Sequence, residues 1–154
     1  MNMKNRLIYH FLSDDDLLRI SNRIKEMEKT TAGEICVSLK EKRNFFDRNK
    51  SVRSLAEKEF YKLGIHNTKD KTGILIFILL EGRKFYILAD SGINDKVDEG
   101  TWEEVKNEMQ SMFSRGEFNK GILHGVDRVG KILSLHFPIK PGDTNELSNR
   151  VRID

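Results

Sequence analysis

Apolar residues along this chain change their spacing several times, and each change predicts a different element. Leu17, Ile20, Ile24 and Met27 recur at helical spacing. Ser13 and the acids Asp14, Asp15 and Asp16 stand just before them, a cap and negative charge for the positive end of the helix dipole. Thr30 to Gly33 breaks the pattern. Ile35, Val37 and Leu39 then alternate, which predicts a strand over 34–39. Lys40 to Lys50 is polar and charged and reads as a loop. Val52, Ala56, Phe60 and Leu63 restore helical spacing up to Gly64, a C-cap candidate. Ile74 to Leu80 is apolar without interruption, as in a strand buried on both faces. After Glu81-Gly82-Arg83, a second run from Phe85 to Ala89 stops at Asp90, predicting a hairpin in the centre of a covered sheet. Thr101 and Glu104 have capping-box spacing. Trp102, Val105, Met109 and Met112 follow as a helix closed by Gly116. Phe118, Ile122, Val126, Val129 and Leu133 make the last helix, ended by Pro138.

The predicted order is helix, strand, helix, strand, strand, helix, helix. A strand-helix-strand unit favours parallel pairing with a right-handed crossover, and the hairpin adds an antiparallel strand. The fold class is therefore α/β: a single-domain α/β/α sandwich, with a mixed central sheet flanked by helices on both faces. The domain is placed at 1–138, and 139–154 is a C-terminal tail, packed on the domain or mobile.

Composition narrows the function classes. With 27 basic against 24 acidic residues, the net charge of +3 is too balanced to argue for nucleic acid, and no such partner is expected. Cys36 is the single cysteine, so no internal disulfide forms. The longest apolar run is far short of the ~20 residues of a membrane helix. The N-terminus lacks a sustained apolar stretch followed by a small-residue cleavage site. No signal peptide or transmembrane segment is read, and the expected location is cytoplasmic.

The topology also predicts a rim. If 34–39 and 74–80 run parallel, their N-terminal ends share one edge, where the antiparallel second hairpin strand ends. Glu34, Asp70 and Asp90 would gather there, with Asp95 and Asp98 near in sequence. Converging carboxylates repel and recruit hard cations, so Asp70, Asp90 and Glu34 are candidate ligands for Ca2+ or Mg2+. The alternative is that each is a solvated loop acid or a helix cap. His10, His66, His124 and His136 lie on separate elements without zinc spacing. Cys36, mid-strand, reads as a buried apolar side chain. Gly73, Gly82 and Gly92 form no dinucleotide or phosphate-loop motif, and Gly92 reads as a tight turn after Asp90. The basic-aromatic segment 40–53 carries Phe45 and Phe46 among Lys40, Lys42, Arg43, Arg48, Lys50 and Arg53, diluted by Glu41 and Asp47. RNA, an anionic membrane, an acidic partner or solvent alone could face it.

Several pieces in order resemble the TPM domain, a family widespread in bacteria. They are Thr31-Ala32-Gly33-Glu34-Ile35, Phe60-Tyr61-Lys62-Leu63-Gly64, Lys71-Thr72-Gly73-Ile74-Leu75-Ile76 and Arg83 to Ile93. Phe113-Ser114-Arg115-Gly116-Glu117-Phe118-Asn119-Lys120-Gly121 is similar to the family's Phe-x-x-Gly-[Asp/Glu]-[Phe/Tyr]-x-x-Gly signature. His136-Phe137-Pro138, Pro141-Gly142-Asp143 and Asn145-Glu146-Leu147 resemble the ending of a compact bacterial branch. The resemblance runs from about Ser13 to Val151 and implies an α/β sandwich. It also implies relatives that bind calcium, relatives assigned acid-phosphatase activity, and roles in membrane-complex repair or receptor modulation. Carried over, Asp70 and Asp90 are the positions at issue. This chain departs at Asp90-Ser91-Gly92-Ile93-Asn94-Asp95-Lys96, where many members have Gly-x-Gly-Leu with further acids. Two readings result. The preferred one is a binding module for an unidentified protein partner, one associated with a membrane included, with cation binding as an added property. The alternative is a weak metal-assisted acid phosphatase.

Overall fold

The computed structural model describes residues 7–140 and 151–154. After a 3-10 turn at Leu7–His10 come α1 (Asp14–Glu28), β1 (Glu34–Lys40), a 3-10 turn at Phe45–Asp47 and α2 (Val52–Lys62). A further 3-10 turn at Ile65–Asn67 leads to β2 (Gly73–Leu79), β3 (Lys84–Ala89) and the one-turn helix α3 (Ser91–Asn94). The helices α4 (Glu99–Ser114) and α5 (Phe118–His136) and the short strand β4 (Val151–Ile153) complete the order.

Local chemistry sets these boundaries. Ser13 Oγ accepts the Asp16 N–H at 3.1 Å while the Asp16 carboxylate accepts the Ser13 N–H at 2.9 Å, a reciprocal cap that starts α1. Ser51 caps α2 by accepting the Ser54 N–H alone, and Gly64 follows its C-terminus as expected. The predicted start of α4 at Thr101 is wrong. Its N–H already donates to the Asp98 carbonyl, so Thr101 lies inside the first turn and Asp98 is the N-cap residue. The turn between β2 and β3 closes through the Arg83 N–H and the Leu80 carbonyl, with Gly82 at φ 80° supplying backbone that side chains disfavour.

The sheet order is β3-β2-β1-β4, with β1 parallel to both β2 and β4 and β2 antiparallel to β3. Only half of the hairpin is therefore central. β4, from the segment read as a tail, adds beside β1, so the far side of β3 stays a sheet edge. Every residue of β2 is buried, as its continuous apolar run predicts. Ile74, Ile76 and Ile78 face a large core with Ile20 and Ile24 of α1, Val105 and Met109 of α4, and Val126 and Val129 of α5. Leu75, Phe77 and Leu79 face a smaller core under α2, with Leu55, Ala56 and Phe60. Helices thus cover both faces of a mixed sheet in one domain. No helix among the described residues is long and apolar enough to cross a membrane.

Candidate functional site

The predicted rim exists at the level of the main chain. Glu34 opens β1 with its N–H on the Thr72 carbonyl at 3.0 Å, and Asp90, just past β3, donates its N–H to the Gly73 carbonyl at 2.9 Å. Asp70 lies in the loop before β2. The side chains have separate surroundings. Glu34 is buried, Asp70 is exposed, and Asp90 is half-buried as the N-cap residue of α3. Asp90 Oδ1 accepts the Ser91 N–H at 2.7 Å, while Oδ2 is shut off from solvent without a hydrogen-bond partner. Asp95 ends α3 and Asp98 precedes α4, both exposed. Among the described residues, no three His, Cys, Asp or Glu side chains form a group that could hold a metal ion. Asp70, Asp90 and Glu34 share the rim without making such a set.

Gly92 has another reason than the tight turn assigned to it. It sits inside α3, and a Cβ there would lie 2.2 Å from the Asp70 carbonyl oxygen and 2.5 Å from that of Lys71. Only glycine lets α3 seat on this loop. Cys36 is buried in β1 as expected. His124 joins a seam between α4 and α5, where Glu108 Oε1 meets His124 Nε2 at 2.6 Å and accepts the Arg128 Nε–H at 2.9 Å. The bond to His124 first, and then Arg128, hold the Glu108 carboxyl below its ordinary range. This is a clamp between helices.

The edge strand β3 offers a different geometry. The Asp90–Gly73 bond, with the β2–β3 register, assigns Leu88–Leu75, Tyr86–Phe77 and Lys84–Leu79 as the hydrogen-bonded pairs. Phe85, Ile87 and Ala89 therefore turn their N–H and C=O groups outward. Of these, the Ala89 carbonyl is taken by Asn94 Nδ2 at 2.9 Å. A groove of about 410 Å³ runs along Tyr86 to Ala89, between Arg53 of α2 and Trp102 of α4. Because α2 and α4 cover opposite faces, this groove straddles the edge. Trp102 is 8% exposed and its Nε1 has no acceptor. A second groove, of about 400 Å³, meets the start of β3 and is lined by Phe11, Phe85, Phe113 and Phe118. Sequence reasoning missed this edge, since Trp102 read simply as one residue of the α4 stripe. Its being the chain's one tryptophan, with a polar tip on an apolar ring, was the available signal.

The same overall fold recurs in solved structures, and the family is shown by the sequence. The TPM domain pattern matches residues 9–132, so the chain belongs to the TPM domain family. The solution structure of BA42 protein from the psychrophilic bacterium Bizionia argentinensis is similar at 33% identity and TM-score 0.83, over 94% of this chain and 96% of that one. The N-terminal domain of a protein from P. gingivalis shares the fold at 19% identity and TM-score 0.67, over 82% of this chain and 79% of that one. The N-terminal domain of cg2496 protein from Corynebacterium glutamicum does so at 13% identity and TM-score 0.60, over 79% of this chain and 74% of that one. No curated protein matches the sequence.

Proposed function

We propose that this TPM domain is a binding module that takes an extended segment of a partner protein along the outer edge of β3. The observation that carries the reading is the row of outward main-chain groups on Phe85 and Ile87, set in a groove that spans both faces of the sheet edge. An added strand pairs with such groups at every second residue, and flanking pockets select alternate side chains. Here one pocket is aromatic and the other is lined by the Trp102 ring. Cation binding at the rim is the second reading. It rests on Asp90 Oδ2, a buried oxygen without a partner. Ca2+ or Mg2+ would need further oxygens beyond those that Asp70, Asp90 and Glu34 bring together. The competing enzymatic reading, a weak metal-assisted phosphatase, needs a placed nucleophile and a cationic clamp on the phosphoryl oxygens.

The test is to select extended peptides against the full chain and titrate them into isotope-labelled protein. The expected shifts fall on the amides of Phe85, Ile87 and Ala89 and on the Trp102 indole. Trp102→Ala should weaken the selected peptides roughly tenfold through loss of the ring that lines the groove. Peptides that map to another face would overturn the reading. So would Phe85 and Ile87 amides that, in the free protein, resist hydrogen exchange as well as those of Tyr86 and Leu88. A Ca2+ or Mg2+ arm that shifts Asp90 and is lost in Asp90→Asn would establish the second reading. Turnover of an aryl phosphate at ~1–10³ s⁻¹, abolished by Asp90→Asn, would replace both with an enzyme.

A further inference from the structure

We propose that the Phe45–Phe46 loop is a docking tip for an anionic lipid bilayer. Phe45 is 69% exposed and Phe46 is 91% exposed, on a convex turn between β1 and α2. Neither ring belongs to the apolar cores, so this apolar surface is left to solvent or to another surface. In sequence, Glu41 and Asp47 dilute the surrounding positive charge. The fold removes both. Glu41 is buried and accepts the Ile8 N–H at 2.9 Å. The Asp47 side chain is 4% exposed and turns inward to Lys58 Nζ at 2.9 Å and Lys50 Nζ at 3.2 Å. What faces outward around the two rings is Lys42, Arg48 and half-exposed Arg43, with no exposed acid from 40 to 50. Apolar tips ringed by cations match a surface that offers acyl chains below and phosphate or carboxylate charge above.

The loop is also held in shape. Asp47 donates its N–H to the Asn44 carbonyl, Lys50 donates to the Asp47 carbonyl, and Arg43 Nε donates to the Lys50 carbonyl. The rings are thus presented without a further ordering step. Their geometry disfavours single-stranded RNA. Phe45 and Phe46 meet edge to face at 85°, and the Arg48 guanidinium lies over Phe45 at 4.7 Å, so there is no parallel platform for successive bases. Neither ring lines the β3 grooves, so this contact is separate from the peptide reading.

The experiment is co-sedimentation of the full chain with phosphatidylcholine vesicles, with and without phosphatidylserine. We expect partition onto the phosphatidylserine vesicles, weakened by salt. The double variant Phe45→Ser/Phe46→Ser should lower it about tenfold or more. Arg48→Gln should lower it roughly fivefold. Phe46→Trp should gain blue-shifted emission on the vesicles, quenched by acyl-chain bromolipids. Both substituted rings are on the surface, so thermal unfolding and selected-peptide binding should stay as in the parent; this separates failure here from failure of the β3 reading. The proposal is overturned if vesicles are not bound, or if the double variant binds them as well as the parent. Phe-dependent binding of a soluble RNA in place of vesicles would also overturn it.

Discussion

The two faces of the sheet are built from the same three long strands and yet differ in kind. On one, three helices close over a continuous apolar core, and ion pairs tie those helices to one another. Arg23 of α1 holds Asp127 of α5 through both carboxylate oxygens at 2.7 and 2.6 Å, and Glu108 serves His124 and Arg128. On the other, α2 and Ile65 of the 3-10 turn after it cover Cys36, Leu75, Phe77 and Leu79. Buried side-chain atoms without hydrogen-bond partners occur on both sides, Ser38 Oγ and Glu59 Oε1 here and Trp102 Nε1 and Asn119 Oδ1 among the three helices. A sandwich can thus be closed on both sides while helix-to-helix ion pairs brace only one of them, since a lone helix has no helical neighbour to pair with. The thin side is also where α2 meets β3, the edge strand.

The largest expected effect probes that difference through β2. Phe77→Ala should cost ~3–5 kcal/mol, because Phe77 is fully buried and α2 with the turn after it is its cover on that face. Ile76→Ala, one residue away on the thick face, should cost ~2–5 kcal/mol. Chemical denaturation of both variants is the check. A Phe77→Ala loss as small as the ~0.5–1.5 kcal/mol of an Ile→Val change would show that α2 simply settles into the hole, and would break the comparison.

A second substitution sharpens it. Burial first, and then the nearby Asp154 carboxylate, push the Glu59 carboxyl above its ordinary value. A raised carboxyl in the folded state means stability that is full below the unfolded pKa of ~4.3 and lost as pH rises through the folded value. Glu59→Gln removes that loss. It should stabilise the protein by about 1 kcal/mol at neutral pH, and show no such gain below ~4. Denaturant midpoints on both sides of that pH decide it. An unchanged midpoint at neutral pH would mean that the Glu59 charge is already compensated.

The smallest effect concerns Asp47. The Lys58 bond above all, with Lys50 beside it, holds its carboxyl below the ordinary range. Its contribution is therefore present above ~3.9 and fades as pH falls through the lowered folded value. Because both lysines are about half exposed, the global stability change should be slight. The local sign is the Phe45 and Phe46 ring shifts, which should follow the Asp47 titration in an NMR pH series. Rings that keep their shifts after Asp47 protonates would mean the main-chain bonds alone hold the loop.

How much of this was legible depended on whether a signal was local. The unbroken run Ile74–Leu80 specified a strand buried on both faces, and Ser13 with three acids specified a helix start; both need only neighbours in sequence. The order of strands and helices also placed Glu34, Asp70 and Asp90 at one rim. What each carboxylate does there was not legible, since Asp90 acts as a cap only because α3 follows it, and α3 is four residues that carry no periodicity. The edge position of β3 was hidden as well. Phe85 to Ala89 reads as apolar as β2, and only the arrival of β4 beside β1 decides which strand is left outside. Val151–Ile153 is too short to announce itself. The inward turn of Glu41 and Asp47 depends on Ile8 and Lys58, contacts that no composition of the loop reveals.

The pairing of β4 has a consequence for how the molecule is made. β1 waits for Val151 to meet Val37, over a hundred residues later in the chain, and for Asp154 to bond the Leu39 carbonyl and the Glu41 N–H. Until those residues leave the ribosome, a nascent domain carries two bare strand edges, β1 and β3, each able to pair with another growing copy. Closing such a distant contact is slow compared with making the hairpin. The last strand, though only three residues long, therefore sets the interval during which synthesis is most exposed to misassembly.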